Sequence, residues 1–111
     1  MTSIPRKQAA QLQTLVSIKR QKAEQDMLSL QMEVRRIEAE IAGIGENLKA
    51  LDRTGEEFDG ASLARQHGAV ERMIAEMDLR KAELAARRED LEGAREALKR
   101  AMHSEGRIGE L

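Results

Sequence analysis

His67 and His103 are the side chains in this 111-residue chain that would first suggest metal binding or proton transfer. Metal ligation needs several ligands converging on one point. The two histidines are far apart in sequence, and neither has a second histidine at helical spacing. His67 therefore reads as a structural residue. Carboxylates are adjacent at Glu56-Glu57 and at Glu89-Asp90. General acid–base catalysis needs such groups in a cleft that perturbs their pKa, and a thin helical protein offers them only convex surface. The chain has no Cys, which excludes thiolate nucleophiles, disulfides and Cys-ligated metals. It also lacks a glycine-rich phosphate loop, a GxSxG elbow and an HExxH pair. These residues predict a protein that is not an enzyme and that uses no cofactor and no metal.

The chemistry that remains is that of charge and apolar faces. The sum of charges is close to neutral, at −1, but the placement is uneven. No acid precedes Glu24, while Arg6, Lys7, Lys19, Arg20 and Lys22 are basic. Between residues 46 and 59 there are five acids (Glu46, Asp52, Glu56, Glu57, Asp59) against Lys49 and Arg53. One reading is that the two segments address different partners and steer their approach; the other is that both are solvated faces. The basic residues have no interleaved aromatic side chains, so they offer phosphate contacts without a stacking platform. No nucleic-acid partner is expected.

Long helices must carry these residues. With 35% charged residues, one Phe, no Trp or Tyr and one Pro, the chain has the composition of a coiled coil. Pro5 suits the first position of a helix. Beyond it, Val16, Ala23, Met27, Leu30, Val34, Ile37, Ile41, Ile44, Leu48 and Leu51 follow a 3.5-residue period, with Arg20 as the middle site of the first heptad. A second stripe repeats every seven residues through Leu63, Val70, Met77, Leu84, Leu91 and Leu98. His67, Ile74, Lys81, Arg88, Arg95 and Met102 are read as its companion column, since basic stems can cover apolar surface while their heads reach water.

Between the stripes, Gly55 suits a helix C-cap and Asp59 an N-cap. Phe58 and Leu63 have the spacing of a hydrophobic staple. Two helices joined by so short a loop pack antiparallel. Folding about Glu57 places Leu51 opposite Leu63, Ile44 opposite Val70, Ile37 opposite Met77 and Leu30 opposite Leu84. The same register puts Gly43, Gly45 and Gly68 at one level, as a flexure or as tolerated drift. Leu12, Leu15, Ile18, Leu28, Met32, Met73 and Leu79 fall beside the seam, either as a second packing face or as ordinary exposed surface.

The basic run from Pro5-Arg6-Lys7-Gln8 through Ile18-Lys19-Arg20, the heptads Leu30 to Leu51, the acidic turn, and Leu63 to Met102 together resemble the FliJ/YscO family. These are stalk proteins of flagellar and type III secretion export apparatus. The resemblance is one of pattern over nearly the whole chain, which is short for the family. It implies a hairpin that inserts in a hexameric export ATPase ring, links it to the membrane export gate and escorts chaperones. It implies a cytoplasmic location, peripheral to the inner membrane through the export complex.

The expected fold is all-α, a long antiparallel two-helix coiled-coil hairpin in a single domain, 1–111. Helix 1 spans about 5–53, a turn 54–59, helix 2 about 60–104, and 105–111 form a frayed tail. The expected partners are proteins, with no membrane insertion. Candidate contact residues are Arg6, Lys7, Lys19, Arg20 and Lys22, with Leu12, Leu15, Met32 and Met73 as apolar anchors. The competing function is a homodimeric coiled-coil adaptor unrelated to secretion, in which those anchors bury against a second copy.

Overall fold

A computed structural model describes residues 5–53 and 60–110. The cap at Gly55, the N-cap at Asp59 and the staple at Phe58 lie outside the described residues. Two helices, α1 (Arg6–Arg53) and α2 (Gly60–Gly109), form an antiparallel helical hairpin. The α1 start fits Pro5, whose carbonyl accepts the hydrogen bond from Ala9 N at 3.0 Å. No helix among the described residues is long and apolar enough to cross a membrane. The described chain divides into a terminal unit, Met1–Met32 with Arg88–Leu111, and a central unit, Glu33–Arg87.

In the central unit the α1 seam is the one its periodicity predicts. Val34 and Ile37 are buried, and Ile41, Ile44, Leu48 and Leu51 are half-buried. Ile37 has no exposed surface at all. On α2, Leu84 is buried in the expected stripe, but the companion column is not the expected one. His67, Ile74, Lys81, Arg88, Arg95 and Met102 are all exposed. The column one residue earlier packs instead: Gln66, Met73, Arg80 and Arg87 in the central unit, Ala94, Ala101 and Ile108 in the terminal unit, all half-buried.

The Val70 to Leu98 column stays in the seam, and α2 is turned by about 50°, half the step of one helical residue, so that the column on its other side packs. This rotation turns Lys81, Arg88 and Arg95 out of the seam. It brings Ala94 and Ala101 in, and small side chains let helix backbones approach closely. It also lets Arg80 and Arg87 reach acids on α1. Met73, expected on a second outer face, is therefore a seam residue.

The register differs too. Gln66 Nε2 donates to the Leu51 carbonyl at 3.1 Å, three residues beyond the expected Leu63. Arg87 Nε lies 3.9 Å from Glu33, six residues beyond Lys81. Leu63, left beyond the paired seam, is 52% exposed. The ion pairs show why this alignment wins. Arg36 Nη1 pairs with Glu40 at 2.7 Å and Nη2 lies 3.7 Å from Glu83. Arg80 Nε lies 3.2 Å from Glu40 and Nη1 3.0 Å from Glu83. Two cations and two anions thus alternate across the seam, a complementarity only one register supplies. The Arg80 guanidinium is held further toward its charged form by its hydrogen bond to Glu83 and the nearby Glu40 carboxylate.

The expected glycine cluster is not formed. Gly45 sits near Met77, with 3.9 Å between a Cβ there and Met77 Cε, whereas the expected register places it by residue 69. Gly43 and Gly93 have no atom within 4 Å of a Cβ position. An interior helical glycine costs up to about 1 kcal/mol relative to alanine. Gly43→Ala and Gly93→Ala are each expected to raise unfolding stability by roughly 0.5–1 kcal/mol. In thermal denaturation that is a gain of a few degrees.

Candidate functional site

The terminal unit is built on a weaker seam than the central one. Its α1 positions are Gln13, Val16, Arg20, Ala23, Met27 and Leu30, and only Leu91 on α2 is buried. Gln13 Oε1 is enclosed by protein atoms without a protein hydrogen-bond donor, a costly arrangement that the central unit shares at Glu40 Oε2.

Arg20 ties this seam together. Its Nε donates to Glu105 Oε2 on α2, and Nη1 donates to Glu24 Oε1 at 2.8 Å. The hydrogen bond to Glu105, then that to Glu24, raises the Arg20 pKa above its already high ordinary value. A raised folded-state pKa stabilises below the unfolded value and is lost only as pH rises through the folded one. For an arginine that range lies far above neutrality, so its charge state does not vary in ordinary buffers. Arg20 is held by two carboxylates within the chain. The clasp also explains why α2 continues to Gly109, past the expected end near 104. Glu105 and Ile108 are half-buried rather than frayed. Glu105→Gln is expected to speed amide hydrogen exchange in residues 13–24 and 98–108, and to leave 34–48 unchanged.

The other expected cations, Arg6, Lys7, Lys19 and Lys22, are exposed and make no ion pair among the described residues. Leu12, Leu15, Lys19 and Lys22 follow one another at steps of three and four, so they share a helix face. Leu12 is half-buried and Leu15 is 49% exposed. Met32, at 70% exposed, belongs to the same unit but lies several turns further along α1. Met73 belongs to the central unit. The structure thus brings Leu12 and Leu15 together with the lysines and leaves out the two methionines.

An open groove lies beside this face. Lys19, Lys22, Ala23 and Asp26 of α1 line it with Ala94 and Ala97 of α2. Seven residues beyond Ala97, and so on the same side of α2, Ser104 lines a second open groove with Val16, Arg107, Ile108 and Glu110. Arg100 and Arg107 rise from α2 there, exposed and without an ion pair among the described residues. Sequence reasoning missed both arginines, together with Ala97. Seven-residue spacing could have grouped Gly93, Arg100 and Arg107 on one α2 face, but not matched that face to the lysines of α1.

In the central unit, Arg36, Glu40, Arg80 and Glu83 form a ring of ion pairs, while Arg35, Arg72 and Lys81 are exposed without an ion pair among the described residues. No group of three or more metal-ligating side chains occurs among the described residues. The terminal unit's arrangement can hold an elongated anionic surface, through helix-face packing flanked by ammonium and guanidinium groups. Comparison of the chain with family models, curated proteins and solved structures finds no match.

Proposed function

We propose that the chain is a non-enzymatic coiled-coil protein of a flagellar or type III protein export apparatus. It acts as a stalk or chaperone escort that engages the hexameric export ATPase and the export gate from the cytoplasmic side. The observation that carries this reading is the row of exposed cations beside open grooves in the terminal unit. In the terminal unit, Lys19, Lys22 and Arg107 line open grooves, and Arg100 is exposed on the same helix as Arg107. Such a row gives a stalk a charged face for a partner to grip. The pattern-level resemblance to the FliJ/YscO family points the same way.

Tagged chain would be used to capture partners from source lysate at low and moderate salt, read by mass spectrometry. Recovery of a ring ATPase or an export-gate subunit, weakened at moderate salt, is the expected result. Recovery of the chain alone would contradict the export reading. It would favour the homodimeric adaptor, for which the supporting observation is the exposure of Leu15, Ile18, Leu28 and Met32.

A further inference from the structure

We infer that the grooved side of the terminal unit is a docking site for an acidic amphipathic helix of a partner protein, which seats there as a third helix. This rests on the reading of the chain as a binding protein and names the chemistry of its partner. Three features of the groove select such an occupant. Its floor is made of Ala23, Ala94 and Ala97, and small side chains leave the close interaxial approach that helix packing needs. Leu15 stands exposed on the same face as Lys19 and Lys22 and gives an incoming apolar stripe something to cover. Lys19 and Lys22 line the groove against Asp26, Arg107 lines the neighbouring groove against Glu110, and Arg100, exposed three residues beyond Ala97, adds a further cation on α2.

The net positive rim calls for a negative partner, and the run of cations along both helices calls for an elongated one. A third helix with acids flanking its apolar stripe matches both, in the manner of charged positions beside a coiled-coil seam. An anionic membrane fits less well. Interfacial binding buries a convex stripe of large apolar side chains, whereas here the large side chains are few and the alanines lie between two helices.

The test uses the full chain and a fluorescein-labelled peptide of about three heptads, with leucines at alternating steps of three and four and glutamates beside them. A counterpart carries lysines in place of the glutamates. Fluorescence anisotropy should show saturable binding of the acidic peptide, weakened by added salt, and none of the basic one. Lys19→Glu with Lys22→Glu should weaken binding at least about tenfold. Ala97→Leu, which fills the groove without changing charge, should do the same while circular dichroism shows an intact hairpin.

Loss with the lysine variant but not with Ala97→Leu would mean diffuse charge attraction and would overturn the groove. So would binding to phosphatidylserine vesicles with no binding of the acidic peptide. A dimer of the chain that Leu15→Glu dissociates, with no peptide bound, would also overturn it and assign the face to a second copy. Peptide binding without any export component in the lysate capture would defeat the export reading alone. The reverse result would defeat the groove alone.

Discussion

Replacing Ile37 by alanine is expected to lower the unfolding free energy by roughly 2–5 kcal/mol, the range for truncating a buried aliphatic side chain. Ile37 is the one described side chain with no exposed surface. It lies in the central unit, where a two-helix seam has no second layer to collapse into the space left behind. A chain of this size holds on the order of 5–15 kcal/mol in total, so the variant should lose a large share of its stability. Ile74→Ala is the matched control. Ile74 is 48% exposed, and surface truncations usually stay within about 0.5 kcal/mol. Urea denaturation followed by circular dichroism separates the two. Equal losses would mean that the expected column, with Ile74 in the seam, is the packed one after all.

The second large effect concerns binding. Lys19→Glu combined with Lys22→Glu reverses two exposed charges next to the alanine groove. Neither lysine makes an ion pair among the described residues, so the fold has little to lose. The recovery of partner from lysate at low salt should fall at least about tenfold, with an unchanged thermal midpoint. The same reversal at Lys49 and Arg65, exposed in the central unit, should leave recovery near wild type. A loss of equal size from both pairs would show that net charge, and not the terminal unit, attracts the partner.

The α1 seam was legible because nearly every one of its positions from Ala23 to Leu51 is apolar, so a single period fits. The companion column of α2 was not legible. His67 to Met102 and Gln66 to Ile108 both run through basic residues, and the two columns differ by one residue. Only the acids of α1 decide between them, because Arg80 and Arg87 find Glu40 and Glu33 across the seam. Register followed the same logic. Matching apolar columns about Glu57 ignored the flanking charges and placed the arms three to six residues out, as Leu51 with Gln66 and Glu33 with Arg87 show.

The candidate site was legible in half. The basic run of α1 stands out because no acid interrupts it. The pairing of Arg20 with Glu105 was not legible, because the two lie 85 positions apart. The α2 wall of the groove could not be read at all, since Ala97, Arg100 and Arg107 gain meaning only beside Lys19 and Lys22. The tail 105–111 was expected to fray, and α2 runs on to Gly109. Glu105, held by Arg20 across the hairpin, anchors the turn in which that tail begins.

The most direct test of the claim that the terminal unit is the binding end is site-specific photo-cross-linking in cells. A photoreactive residue would be placed at Leu15 in one strain and at Leu79 in another, and adducts identified by mass spectrometry. Leu79 is the more exposed of the two, at 72% against 49%, so exposure alone favours cross-links from the central unit. The opposite is expected: Leu15 yields an adduct to an export ATPase or gate component through an acidic helix, and Leu79 does not. Equal adducts from both positions, or adducts from Leu15 only to another copy of the chain, would contradict it.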